Sequence, residues 1–251
     1  MNSQIQSNIL NLSNNNYIVG PRYGNLDIGD KGLGRLIEPD ELLRVINRLN
    51  GKIIVTSGPT YEEIDDVKVV TNKSSGKQGR ALAIELSARG YEIVYIHAAS
   101  IDHIPGLVNV SFNSSNDLKN KILENINNTE AIFMTAAVSD FTVNKSSGKI
   151  SRRKGSITVE FTPNEDIIAN VKSTYPEVKC IAFSAQVNDE LNFNKINSKN
   201  VDYLVINNIL KNKFGSDTNK VSIIDQQHLI FESEELDKNE ISRDILNSLE
   251  Y

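Results

Sequence analysis

From Lys52 onward, short apolar runs alternate with stretches in which apolar residues return every three or four positions. "KIIVTSG", "EIVYIHA", "LVNVSF", "AIFMTAA", "KCIAFSA" and "YLVIN" are apolar nearly throughout, the pattern of strands buried on both faces. Between them, "GRALAIELSARG" (stopped by Gly90), "NDLKNKILENI", "NEDIIANVKSTY" and "NFNKINSKN" predict amphipathic helices. "KIS" and "ITVEFT", around the basic turn Arg152-Arg153-Lys154-Gly155, predict one β-hairpin. "KVSIID" and "HLIFES", around Gln226-Gln227, predict a second, and "NEISRDILNSL" a closing helix. Such alternation specifies an α/β domain over about 51–251: a Rossmann-like, mostly parallel sheet with helices on both faces, plus a β-hairpin element.

The first fifty residues read differently. Residues 1–16 are polar and Asn-rich, with Ile5, Ile9, Leu10 and Leu12 as the only pattern, which fits a weak helix or disorder. Residues 17–35 hold five glycines and a proline and predict loops. "EPDELLRVINRL" (38–49), with Leu42, Val45, Ile46 and Leu49 on one face, predicts a helix. The chain thus divides into an arm or linker, 1–50, and a domain, 51–251.

Composition narrows the function classes. With 251 residues, 39% of them hydrophobic and 24% charged, the chain can bury a sizeable core. A net charge of −5 argues against a nucleic-acid binder, which needs a basic surplus. Cys180 is the only cysteine, so no internal disulfide framework exists. No signal peptide and no apolar run of roughly 18 residues occurs, which predicts a soluble cytoplasmic protein without a membrane segment.

The candidate chemistry centres on "VTNKSSGKQGRA" (70–81). In doubly wound sheets ligands bind beyond the carboxyl ends of the strands. The first such strand ends at Thr56-Ser57-Gly58, but no G-x-G-x-x-G follows and no acid closes "EIVYIHA", so a nicotinamide-dependent oxidoreductase is a poor reading. A P-loop fails too, because Gln78 follows Gly76-Lys77. What remains is a long insertion running into a helix N-terminus near Gly76, where free N–H groups and the helix dipole suit a phosphate and Ser74 and Ser75 add hydroxyl donors. Equally, Ser74 could merely cap the helix, with the glycines as turn residues. His97, on a strand, and His228, in a hairpin, read as packing and surface residues; Cys180 reads as a small buried apolar one.

"SGPTYEEIDDVKVVTNKSSGKQGRALA" resembles the signature of the phosphopantothenoylcysteine synthetase family, G-[GP]-T-x-E-x-I-D-x-V-[RK] followed by N-x-S-S-G-x-x-G. "TAAVSDF", "GKISRRKG", "PNEDI", "AFSAQ", "KNVDYLVINN" and "FGSDTNKVSII" follow in family order, so the likeness spans about 51–233. The first fifty residues resemble the C-terminal tail of the flavin-dependent phosphopantothenoylcysteine decarboxylase, often fused upstream. Ile28 stands where that enzyme has its acidic cysteine, which implies a linker or dimer-packing arm without catalysis.

The resemblance implies a ligase that joins 4′-phosphopantothenate to cysteine through an acyl-cytidylate, using CTP and Mg²⁺, with no flavin on this chain. It implies a homodimer with shared active sites and an association with the decarboxylase. Asn72 would orient the acyl group, and Ser74, Ser75 and Gly76 would meet nucleotide phosphates. Ala136, Ala137 and Asp140 would line the nucleotide site, with Asp140 near the ribose or the metal, or else a turn cap. Phe183, Ser184 and Ala185 would read the base, and Lys195 and Lys199 would face the triphosphate from one helix face. Lys149 and Arg152 would reach the partner's site. Departures from the family pattern are Ser151 and Arg152 in place of lysines, and Ser184 and Gln186 in "FSAQV" for F-A-A-E-T. They motivate the alternative of a non-catalytic family member that binds a nucleotide or a partner.

Overall fold

A computed structural model describes residues 3–13, 18–26, 29, 31–39, 42, 51–152, 155–187, 190–208, 210 and 215–251. In chain order the elements before the large sheet are α1 (Ser3–Ser13), β1 (Arg22–Asn25) and β2 (Lys31–Arg35). The first half of the domain holds β3 (Lys52–Ser57), β4 (Tyr61–Glu63), β5 (Val69–Thr71), α2 (Lys77–Ala88), β6 (Glu92–Ala98), β7 (Val108–Phe112) and α3 (Ser115–Asn125). Next come β8 (Thr129–Met134), β9 (Phe141–Val143), β10 (Phe161–Pro163), α4 (Ile167–Thr174), β11 (Lys179–Gln186), α5 (Phe193–Lys199) and β12 (Tyr203–Asn208). The chain closes with β13 (Thr218–Asn219), β14 (Val221–Ile224), β15 (Leu229–Glu232), β16 (Leu236–Asp237) and α6 (Lys238–Ser248).

The main sheet has eight strands in the order β15-β14-β12-β11-β8-β3-β6-β7. β12, β11, β8, β3, β6 and β7 run parallel, and β14 and β15 are antiparallel additions. Each parallel strand is apolar on both sides because helices cover both faces. Ile53, Val55 and Phe133 pack with Leu82 and Leu86 of α2 and Ile241 and Ile245 of α6. Ile54, Ile132 and Cys180 pack on the opposite face with Leu118 and Ile122 of α3, Ile168 and Val171 of α4 and Ile196 of α5. Burying one such side chain fully contributes roughly 1.5–3 kcal/mol, so the alternation read from the sequence and the two-faced core are one fact. The chain leaves β3 toward β6 on one side and returns as β8 on the other, which opens a crevice between their carboxyl ends.

Two readings need correction. Arg22–Asn25 and Lys31–Arg35, within the stretch expected as loops, pair as the antiparallel strands β1 and β2. Their glycines make room for overlying side chains: a Cβ on Gly24 would lie 2.9 Å from Arg35 Cδ, and one on Gly34 would lie 3.1 Å from Leu26 Cδ2. The hairpin expected from "KIS" and "ITVEFT" pairs instead through Phe141–Val143 and Phe161–Pro163, and the described residues between them, 144–152 and 155–160, form a mostly exposed arm. The helix expected over 38–49 and the Ile28 position lie outside the described residues, apart from short pieces of the former. No helix of the described residues is long and apolar enough to cross a membrane.

Candidate functional site

Beyond the carboxyl ends of β3, β8, β11 and β12 opens a cleft of about 790 Å³. Its floor is built by short backbone stitches. Thr135 Oγ1 donates to the Thr56 carbonyl, and Thr56 Oγ1 accepts from Ala136 N at 3.0 Å. Ala137 N donates to the Gly58 carbonyl at 2.9 Å. The loop 72–76 is tied to this floor by Asn72, whose Nδ2 donates to the carbonyls of Ala137 and Val138, 3.1 Å each. Both partners are acceptors, so the amide's orientation is decided, and its nitrogen is committed to holding two loops together.

α2 starts at the cleft. Gly76 sits at φ 67°, a conformation side chains disfavour, and no side chain caps the first turn. Ser57 Oγ donates to the Gly76 carbonyl at 2.8 Å, which seats the loop over β3. Ser74 therefore does not cap the helix: its hydroxyl meets only the Gly76 N–H, at 3.4 Å. One turn in, a Cβ on Gly79 would fall 2.2 Å from Thr135 Oγ1 and 2.8 Å from the Thr56 carbonyl, so glycine lets the helix press against the sheet. The first amide groups of α2 face the cleft with the positive end of the helix dipole behind them.

The same wall carries Lys77 and Lys238. Lys77 Nζ donates to the Gly215 carbonyl at 3.0 Å and pairs with Asp217 at 2.6 Å. Lys238 Nζ donates to the Ser216 carbonyl, and burial lowers its pKa, with Lys77 adding to the effect. The opposite wall comes from α4, α5 and β11. Asn164 clamps the loop after β8, its N–H donating to the Asp140 carbonyl at 2.8 Å and its Nδ2 to the Ser139 carbonyl at 2.9 Å. Asp166 caps α4 through Ala169 N and pairs with Lys199. Lys195 Nζ donates to Ser184 Oγ at 2.9 Å; burial and then Lys199 lower its pKa.

The structure thus brings together Asn72, Ser74, Ser75, Gly76, Ala136, Ala137, Asp140, Phe183, Ser184, Ala185, Lys195 and Lys199, all lining one cleft. It does not bring in Lys149 and Arg152. Both are exposed on the arm 144–160, which turns away and docks on the β4–β5 turn. Sequence reasoning gave no role to Lys77, Asn164, Glu165, Asp166 or Lys238; an acid capping a helix after a proline was the one available signal, in "PNEDI". Among the described residues no group of three His, Cys, Asp or Glu could hold a metal, and Asp140 lacks companion ligands. His97 is buried, Nδ1 near the Ala98 carbonyl and ring stacked on Tyr95, while His228 is exposed in the β14–β15 turn. The Cys180 thiol is buried, which pushes its pKa up to about 12.

The site is thus a Rossmann-like sheet with a helix N-terminus at its switch point, lined by lysines from both walls. The chain belongs to the family described as the DNA/pantothenate metabolism flavoprotein C-terminal domain, whose model matches residues 49–251. It is 32% identical, over 94% of its length, to a cysteine/cysteine sulfinic acid decarboxylase of an unknown prokaryotic organism, of which it covers 72%. It is 30% identical over 98% of its length to the coenzyme A biosynthesis bifunctional protein CoaBC of Bacillus subtilis, and it spans 65% of that relative. Among solved structures, the C-terminal domain of a coenzyme A biosynthesis bifunctional protein CoaBC matches with a TM-score of 0.66 at 25% identity, covering 81% of this chain and 95% of that one. A Cab2 mutant in complex with phosphopantothenate-cysteine shares the fold with a TM-score of 0.65 at 15% identity, over 84% of this chain and 90% of that one.

These findings correct the activity expected from the sequence. The family is described by a flavoprotein, and the relative that is 32% identical is a decarboxylase, so the ligase, its CTP, its magnesium and the absence of a flavin are overturned. Membership in the coenzyme A biosynthesis group stands. The phosphate end of the cleft suits a flavin mononucleotide as it suits any phosphate ester. Along the described walls Phe183 is the only aromatic side chain, so stacking on both faces of a flavin ring is not provided for.

Proposed function

We propose that this chain is the substrate-holding domain of a cytoplasmic coenzyme A biosynthesis protein. Its cleft takes phosphopantothenate-cysteine and keeps it for the flavin-dependent decarboxylation to which the family and relative names point. The observation that supports this most is the make-up of the lining. Five lysines (Lys73, Lys77, Lys195, Lys199 and Lys238), three carboxylates (Asp140, Glu165 and Asp166) and the apolar Ala136, Ala137, Val138, Ile168 and Phe183 share the lining. A ligand that carries a phosphate and a carboxylate joined by amide and aliphatic segments suits that mixture of cations and apolar surface.

The amide groups at the start of α2, with Ser74, Ser75 and Gly76, hold one anionic end, because oriented donors there need no reorganisation. Lys195 and Lys199 hold the other. Asn72 keeps the two loops at the spacing the ligand needs, and Ala136, Ala137, Phe183 and Ala185 shield its middle, with Asp140 at the rim. The residues of this cleft would bind, orient and shield the ligand, and any flavin that the decarboxylation requires would have to be held elsewhere than between these walls. In the proposed arm, 1–50, the described strand β1 is tied to the 51–251 domain, with Arg22 Nη2 on Glu85 at 2.6 Å. In a homodimer, Lys149 and Arg152 enter the partner's cleft, which is where an arm turned from its own site can act.

Calorimetric titration with phosphopantothenate-cysteine and with its dephosphorylated form tests the reading. Loss of the phosphate is expected to weaken binding about tenfold or more. Equal affinity for the two forms, or none for either, overturns it.

A further inference from the structure

Ser184 is buried to 2% exposure on β11, yet its hydroxyl lies in the cleft wall. Its oxygen accepts from Lys195 Nζ at 2.9 Å and from Gln186 Nε2 at 3.3 Å. A serine hydroxyl has two acceptor positions and one proton, so both lone pairs are spent and the proton is left to donate. No described hydrogen bond uses that proton. Accepting from an ammonium also polarises the O–H bond and strengthens it as a donor.

Lys195 is a long, flexible side chain, and it reaches the cleft half-buried beside Lys199 of its own helix. Asp140 from the loop after β8 and Asp166 from the start of α4 are the carboxylates that face it. Lys199 is taken by Asp166. Among the described residues Lys195 pairs with no carboxylate, and its ammonium is held by the Ser184 oxygen. Gln186 completes the arrangement because an amide can donate to the same oxygen, which a glutamate carboxylate at that place could not.

We propose that Ser184 is a positioning residue: it holds the Lys195 ammonium toward the cleft and donates its own proton to an oxygen of the bound anion. The inference rests on the cleft being the site for a phosphorylated acid, as argued above. The group it selects is an oxyanion able to accept from an ammonium and a hydroxyl side by side, a phosphate or carboxylate oxygen.

The test separates the two claims. Lysine ¹³Cε resonances of the ligand-free full chain are followed from neutral to alkaline pH, with Lys195 assigned through Lys195→Arg. Ser184→Ala removes an acceptor that favours the charged ammonium, so Lys195 is expected to titrate at lower pH than in the parent. Ser184→Thr, which keeps the hydroxyl, is expected to restore it, and Lys73 is expected not to move. A Lys195 titration unchanged in a Ser184→Ala protein of unaltered melting temperature overturns the proposal. So does an equal shift of Lys73. In titrations with phosphopantothenate-cysteine, Ser184→Ala is expected to bind about tenfold more weakly and Ser184→Thr within about twofold of the parent; equal binding by all three overturns the donor role. If the parent itself does not bind the conjugate, the functional reading fails while the ligand-free titration still decides Ser184.

Discussion

Gly79 shows how much one missing methyl group can hold in place. The helix α2 reaches the sheet so closely there that a Cβ would stand 2.2 Å from Thr135 Oγ1, 2.8 Å from Ser57 Cβ and 2.8 Å from the Thr56 carbonyl. Thr135 could turn away, but only by giving up its bond to Thr56, and the carbonyl cannot move without bending β3. Gly79→Ala is therefore expected to destabilise the chain by roughly 1–3 kcal/mol, although alanine is otherwise the better helix residue. Urea unfolding would register this as a lower midpoint at unchanged slope; a midpoint at or above the parent's would mean that the helix does not sit where it is described. At this scale the sequence was a good guide. The loop "NKSSGKQG" could be placed at a helix start from its spacing alone, and Asn72, Ser74, Ser75 and Gly76 do line the cleft. What spacing could not reveal is that Asn72 spends its amide nitrogen on Ala137 and Val138, sixty-five and sixty-six positions away. Lys77 and Lys238 were invisible for the same reason, since only the folded sheet brings them to one wall.

At the scale of elements, the instructive case is the arm 144–160. Its alternating residues resemble a strand, but a strand needs a partner to accept its hydrogen bonds, and among the described residues of the expected hairpin only Phe161–Pro163, just past the arm, finds one. The rest is held by an acidic turn. Asp65 has no accessible side-chain surface; it accepts from Val67 N and Lys68 N at 2.7 Å each, from Lys68 Nζ at 2.6 Å and from Ile150 N at 2.9 Å. Lys145 pairs with Glu63 and Asp66, and Gly148 N donates to Asp66 at 2.9 Å. The Lys68 ammonium first, and then the backbone donors, hold the Asp65 carboxyl well below the usual carboxylate range. Because its folded pKa is depressed, Asp65 contributes stability that is full above the unfolded value of about 4, and that is lost only as pH falls toward the lower folded value. The stability gap between the parent and Asp65→Asn, measured by urea unfolding over a pH series, is expected to stay constant from pH 7 to about pH 5 and to narrow only in stronger acid. A gap already closed near pH 5 would show that Asp65 is not held in this way. The glycine-rich stretch 17–35 errs in the opposite direction: its composition signals loops, yet Arg22–Asn25 and Lys31–Arg35 pair as strands whose glycines admit Arg35 and Leu26.

For the whole molecule the question is where the arm's cations act. The mostly parallel sheet and its two-faced core follow from the alternation of apolar strands and amphipathic helices, and both were legible along the chain, whereas the order of the strands was not. Nor was the placement of Lys149 and Arg152. The Asp65 turn, which accepts from Ile150 N, holds the arm away from its own cleft. On the proposed homodimer, each site draws its cleft from one copy and its arm from the other. Complementation tests this directly. A chain with Lys149→Glu and Arg152→Glu, and another with Lys195→Glu and Lys199→Glu, should each bind phosphopantothenate-cysteine poorly. In a mixed dimer, the intact cleft of the first meets the intact arm of the second, so one site of the pair is whole. After free exchange of equal amounts, half the dimers are mixed, and about a quarter of all sites should recover parental affinity. Sedimentation of each variant alone verifies that both still dimerise. Recovery of no sites, with exchange shown by a mass-tagged copy, would place the arm outside the neighbouring cleft and leave the lysines of a single chain to hold the ligand unaided.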